Sequence, residues 1–359
     1  MTALLTTPSR DGRPCSAKEI NKFYREEGPK IFSKEAEIMN SVVKPLMKSF
    51  DPLPGGSFMS KMIELPKSWL LKAGVWALAK AFAPVYDNSP FHQKIAQLFG
   101  GIHLADTLTN VVIPAYDMKT LHPIIFSTEQ AKKNRSKIQL ADVIMSTAAA
   151  PFYFPPHDFV ADGKRYFLVD GGLAANNPTL VAIREAAKMI ENHSNTNSIL
   201  PENCKFLVLS LGTGSAKLFG HEVGYGGTLD WFNLEKGLPP LIDILMRASD
   251  DMVDMYTSLI LGKYNSKHNF LRIQDYTLDP CQSMLNDASE GNIDMLEKIV
   301  KDLLNRSVSV VNLETGLQEI PLDRRPSHNR SIPTNREAIT CFAGRLSEER
   351  RRRYNSDAE

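Results

Sequence analysis

The chain has 359 residues, 43% of them hydrophobic and 23% charged, enough apolar material for one large core or two modest ones. A formal net charge of +1 leaves no global field for nucleic acid, and the one dense basic run, Arg350 to Arg353, follows Glu348 and Glu349 as a solvated helix end. Cys15, Cys204, Cys281 and Cys341 are scattered without a C-x-x-C pair, so their spacing indicates neither a zinc cluster nor a disulfide framework, and a reducing compartment is the default.

Met1 leads into Thr-Ala-Leu-Leu-Thr-Thr-Pro, too short and too poor in positive charge to read as a secretory signal. Ser16 and Glu19 have capping-box spacing, in which each side chain satisfies the other's backbone donor, so a helix is predicted from residue 16, interrupted near Gly28-Pro29. Pro52, Pro54, Gly55 and Gly56 predict a loop over residues 51–60. The apolar stretch that follows, about 55–84, reads as core packing, with a lid or a membrane-facing helix as the alternative. Its most membrane-like part, Trp69 to Val85, is interrupted by Lys72 and Lys80, and a span needs roughly 20 mainly apolar residues. No transmembrane segment is therefore expected.

Val111-Val112-Ile113 and Pro123-Ile124-Ile125-Phe126 are short strand-forming runs around a turn at Asp117 to His122, which predicts a hairpin or neighbouring strands. Tyr166-Phe167-Leu168-Val169 and Phe206-Leu207-Val208-Leu209 read as buried strands. Between them Leu180, Ile183, Ala186, Ala187 and Ile190 recur at helical spacing, with Asn177 as N-cap and Pro178 in the first turn. Strand, helix, strand predicts a parallel α/β unit. Helices are also predicted over Asp243 to Tyr264 and Asn292 to Asn305, with a polar loop at 321–333. No linker is long enough to divide independent domains.

The strongest chemical feature is Phe167-Leu168-Val169-Asp170-Gly171-Gly172-Leu173-Ala174-Ala175-Asn176-Asn177-Pro178, in which a buried strand delivers an aspartate into a glycine pair and then a capped helix. Ligands in open α/β sheets bind at the carboxyl ends of strands, where a carboxylate can accept a proton or orient a hydroxyl. A structural aspartate at a strand-to-helix turn is the competing reading. His92, His103, His122 and His157 invite a triad reading, but a surface or structural role is the simpler one for each. Ser215 follows Gly212-Thr213-Gly214 without a second flanking glycine and reads as a loop serine. Gly220 and Gly224 are the sole glycine pair four apart, and they enclose Glu222.

The Asp170-Gly171-Gly172 block resembles that of the plant patatins, the patatin-like lipid acyl hydrolases. So do Thr107-Leu108-Thr109-Asn110-Val111-Val112-Ile113-Pro114, Ser146-Thr147-Ala148-Ala149-Ala150-Pro151 with Tyr153-Phe154-Pro155, Leu209-Ser210-Leu211-Gly212-Thr213-Gly214, Asn312-Leu313-Glu314-Thr315-Gly316 and Leu346-Ser347-Glu348-Glu349-Arg350. The resemblance implies an α/β fold, a three-layer α/β/α arrangement with a mainly parallel central sheet, as one domain over 1–353 with a tail at 354–359. It implies hydrolysis of acyl esters of phospholipids and galactolipids by a Ser-Asp dyad, with Asp170 as proton acceptor and no cofactor or metal. The implied partner is a lipid substrate or membrane surface, met peripherally; the lack of a signal-like N-terminus and the scattered cysteines give the expectation of a cytoplasmic location.

The chain departs from that pattern at one decisive place. The Gly-x-Ser-x-Gly elbow and the oxyanion loop are absent, and the sequence begins just downstream of where they belong, so it is expected to be an N-terminally shortened form lacking those strands and the nucleophile. Without the strained turn that exposes a serine oxygen, Asp170 has no hydroxyl to activate. Direct activation of water by Asp170 is disfavoured, since an ordinary aspartate with a pKa of about 3.9 is a weak base at neutral pH. The alternative to a shortened enzyme is a non-catalytic patatin relative that binds lipid or a partner. Head-group preference and oligomeric state are not encoded legibly.

Overall fold

The computed structural model describes residues 1–8, 12–33, 86–193, 206–216, 231, 240–263, 269–279, 282–316, 318–320 and 332–356. The expected loop at 51–60, the apolar stretch at 55–84, most of the 321–333 loop, the Gly220/Gly224 pair, Cys204 and Cys281 lie outside them. Two compact units emerge, Met1–Ala174 and Ala175–Glu359.

The first unit begins with helices α1 (Thr2–Thr6) and α2 (Ala17–Ile31). The predicted capping box is formed: the Ser16 N–H donates to the Glu19 carboxylate at 2.6 Å, and the Glu19 N–H donates to the Ser16 hydroxyl at 3.4 Å. The predicted break at Gly28-Pro29 does not occur. Pro29 removes one intrahelical donor, but it does so in the last turn, where the Phe32 N–H still reaches the Gly28 carbonyl at 3.0 Å. Glu27 binds Lys30 at 3.2 Å and also Lys94 at 2.9 Å, the latter on helix α3 (Ser89–Phe99).

Strands β1 (Val112–Asp117) and β2 (His122–Ser127) form the expected antiparallel hairpin. Its turn is organised by the buried Asp117, whose carboxylate accepts the Lys119 N–H at 2.9 Å and the Thr120 hydroxyl at 3.1 Å. Helices α4 (Thr128–Asn134) and α5 (Leu140–Thr147) follow, and α5 packs on the sheet through Leu140 and Val143, both fully buried at helical spacing. Two further strands, β3 (His157–Ala161) and β4 (Lys164–Asp170), are joined by Asp162 at φ 51° and Gly163 at φ 74°. Positive φ at both central residues is the two-residue hairpin turn whose twist matches that of its strands. The Asp162 carboxylate accepts bonds from the Ser136 hydroxyl and the Lys137 N–H.

The resulting sheet has the order β2-β1-β4-β3, antiparallel throughout. This corrects the parallel unit expected between residues 166–169 and 206–209. The hairpin turn commits one edge of β4 to β3, and the pairing of Leu168–Asp170 with Ala115–Asp117 commits the other to β1.

In the second unit, helices α7 (Thr179–His193), α8 (Pro240–Lys263), α9 (Glu290–Asn305) and α10 (Asn335–Ser356) accompany β5 (Val208–Leu211) and β6 (Phe270–Ile273). The short helix α6 (Gly172–Ala175) starts at the second glycine of the motif, largely within the first unit, and in the second unit β7 (Val310–Val311) with β8 (Gln318–Glu319) forms a small antiparallel ladder. Among the described residues β5 and β6 pair in parallel, and an isolated parallel bridge joins Ala216 to Leu278. Helices were expected at α7, α8 and α9, and Asn177 caps α7 as predicted, its side-chain oxygen accepting the Thr179 N–H at 3.3 Å. Arg350 to Arg353 lie exposed on α10, as a solvated helix end should.

A closed ring of polar contacts fastens this unit. Asn177 donates to Asp254 at 2.8 Å, Asp254 faces Arg272 at 3.3 Å, Arg272 donates to the Ser210 hydroxyl at 3.0 Å, the Ser210 and Thr179 hydroxyls meet at 2.8 Å, and Thr179 donates back to Asn177 at 2.6 Å. Asp254 is 2% exposed, and burial raises its pKa against the opposing pull of Arg272.

Two substitutions test these features. Gly163→Ala meets open space but retains a positive φ that a Cβ disfavours, so a loss of about 1 kcal/mol is expected in urea denaturation. Arg272→Ala strands a buried carboxylate, and the expected loss is about 3–5 kcal/mol by the same measurement.

Candidate active site

Asp170 is the last residue of β4 and is half-buried. Its backbone is held from two sides: it lies opposite Ala115 of β1, and its N–H donates to the Ala149 carbonyl at 3.0 Å. Gly171 then passes so close to β1 that a Cβ would stand 2.2 Å from the Pro114 carbonyl oxygen. Only glycine fits that approach. The same carbonyl accepts the Thr147 hydroxyl at 2.7 Å, so the strand end, the end of α5 and the Gly171 turn converge on one peptide group.

Among the described residues, the Asp170 carboxylate takes one hydrogen bond, from the Gly172 N–H at 2.7 Å, and no serine or cysteine side chain reaches it. Burial pushes its pKa up, and the Gly172 N–H pulls it partly back; the net shift is upward. A carboxylate with raised proton affinity is a better base than an exposed aspartate.

The loop that supplies Ala149 continues into a tight turn. The Ala150 carbonyl accepts the N–H of Tyr153 at 3.1 Å and of Phe154 at 2.9 Å, with Pro151 second in the turn and Phe152 third at φ 72°. That is a type II turn, whose third position ordinarily holds glycine, and a side chain there costs about 1–2 kcal/mol. Phe154 anchors the turn among Phe32, Tyr86 and Phe91, with ring centroids 5.7, 6.1 and 6.2 Å away.

The histidines do not gather at Asp170. His157 pairs with Asp142 at 3.0 Å, His103 with Asp106 at 3.3 Å, and His122 is exposed at the β1–β2 turn. His92 is exposed on α3, its ring centroid 6.3 Å from that of His157. Ser215 acts as a post in the second unit: its hydroxyl accepts Arg247 at 2.6 Å, and its N–H donates to the Asp275 carbonyl at 2.8 Å. No group of three or more histidine, cysteine or acidic side chains suited to a metal occurs among the described residues.

The chain is thus an α/β protein of mixed helices and strands in which a partly desolvated carboxylate stands at a strand end beside a glycine turn. Residues 31–183, which include Asp170, match a family described as patatin-like phospholipase. Over 98% of the chain, the sequence is 37% identical to Patatin-like protein 2 of Arabidopsis thaliana, covering 79% of that protein, and 36% identical to Patatin-like protein 1 of Oryza sativa subsp. indica, covering 78%. It is also 32% identical over 90% of its length to a Solanum tuberosum protein named Probable inactive patatin-3-Kuras 1. The chain belongs to the patatin-like family of lipid acyl hydrolases.

The raised Asp170 pKa has a thermodynamic signature. Between the unfolded value, about 3.9, and the higher folded one, the native state retains a proton that the unfolded chain has released. Folding is therefore penalised as pH rises through that window; the penalty is absent below it and full above it. Asp170→Asn removes the charge and keeps an oxygen for the Gly172 N–H. The variant is expected to exceed the wild type in stability at neutral pH, with the gain vanishing below about pH 4 in denaturation curves taken across pH.

Proposed function

We propose that Asp170 is the proton-accepting half of a Ser-Asp dyad for acyl esters of phospholipids and galactolipids, and that the 359 residues as they stand carry out no hydrolysis alone. The reading rests on the position of Asp170: a half-buried carboxylate of raised proton affinity, at the end of β4, within the matched family region. In a dyad the carboxylate takes the serine proton as the serine oxygen bonds to the ester carbonyl carbon. It returns that proton to the departing alcohol, and water then repeats the cycle to release the fatty acid.

No Gly-x-Ser-x-Gly occurs in the 359 residues. Removing the nucleophile of a well-studied serine hydrolase costs roughly a millionfold in kcat, about 8 kcal/mol of barrier. A base without its hydroxyl leaves a lipid-binding surface as the remaining capacity. No helix among the described residues is long and apolar enough to cross a membrane.

Fatty-acid release from phosphatidylcholine and galactolipid vesicles, with purified wild type and Asp170→Asn, tests the proposal. Both are expected at the uncatalysed background. Turnover by the wild type that disappears in Asp170→Asn would overturn the claim of inactivity.

A further inference from the structure

Two large apolar side chains stand out from the protein beside Asp170. Phe152 is 43% exposed and Leu173 is 45% exposed. Each lies three residues from an end of the hydrogen bond between the Asp170 N–H and the Ala149 carbonyl. The next two aromatics after Phe152, Tyr153 and Phe154, are buried, and the Tyr153 carbonyl accepts the Tyr86 N–H at 2.8 Å, so the turn is fixed to the core while Phe152 faces outward. Phe152 also occupies a backbone conformation at φ 72° that glycine would adopt without strain. An aromatic kept exposed in a disfavoured conformation has neither burial nor backbone preference to account for it, and such positions cluster at functional sites. The two segments that carry these side chains, Ala148 to Pro156 and Gly171 to Pro178, contain no charged residue.

We propose that Phe152 and Leu173 form an apolar lip that enters the hydrocarbon edge of a neutral lipid surface and brings the Asp170 site to the ester layer. The inference rests on the lipid reading of the site given above but not on catalysis. Side chains of this kind bind at an interface through buried apolar area, and with no charge in either segment the contact is insensitive to salt.

The experiment is flotation of the full chain with phosphatidylcholine vesicles. The wild type is expected to float with the vesicles and to do so equally in about 0.5 M salt. Phe152→Gly is expected to weaken partitioning by at least about tenfold, with a melting temperature equal to or above that of the wild type because the strained position now holds glycine. Leu173→Ser, outside the turn in sequence, weakens it in the same direction. Leu121→Ser, at a residue 63% exposed and also at positive φ but in the β1–β2 turn, leaves flotation unchanged. Flotation of Phe152→Gly equal to wild type, an equal loss in Leu121→Ser, release of the wild type by salt, or failure of the wild type to float would each overturn the lip. Hydrolysis by the wild type would overturn the functional proposal and leave the flotation result standing.

Discussion

The approach of Gly171 to the Pro114 carbonyl is the constraint on which the Asp170 site depends. Its closeness admits no side chain, and the carbonyl is already engaged by the Thr147 hydroxyl. Because β1 and β4 are in register at Ala115 and Asp170, and because Ala149 holds the Asp170 N–H, the carboxylate emerges from a backbone that has no freedom to slide. The position of the Asp170 carboxylate is thus set by main-chain packing, and the Gly172 N–H sets the direction of its oxygen.

The long motif that starts at Asp170 divides into parts with different work. Asp170, Gly171 and Gly172 shape the site. Asn177 and Thr179 belong to a ring with Ser210, Asp254 and Arg272 that joins one turn, two helices and two strands of the second unit. Asn176 makes a similar bond to Asp250 at 2.8 Å. A buried ion pair contributes little net stability by itself, because desolvation opposes attraction. In this ring Asn177, Thr179 and Ser210 are joined by hydrogen bonds while Arg272 Nε meets Asp254 as an ion pair without a hydrogen bond, so the ring contributes geometry rather than strength.

How much of this was legible in the sequence follows the range of the interactions. The Ser16 and Glu19 cap, the β1–β2 hairpin, the Asn177 cap and the placement of Asp170 at a strand end are local, and each was read from residues within a few positions of one another. The partners of β4 were not, because edge choice is settled by contacts distant in sequence. A signal for β3 was present in Asp162-Gly163, a pair suited to positive φ, and went unused. The break expected at Pro29 failed because the cost of a proline depends on which turn of the helix it falls in. Phe152 was illegible for the opposite reason: Pro151 suggests a turn, but an aromatic argues against the positive φ that the turn imposes.

The Asp162-Gly163 turn also bears on how the protein ages. A glycine after aspartate leaves its amide nitrogen unshielded, so that this dipeptide is prone to close into a cyclic imide and reopen with the chain routed through the side chain. Closure requires the carboxyl group to swing onto that nitrogen. In this hairpin the carboxyl is tethered instead to Ser136 and Lys137, on the segment that leads into α5. The contact that fixes the hairpin thereby also shields its most labile peptide bond from slow chemical rearrangement.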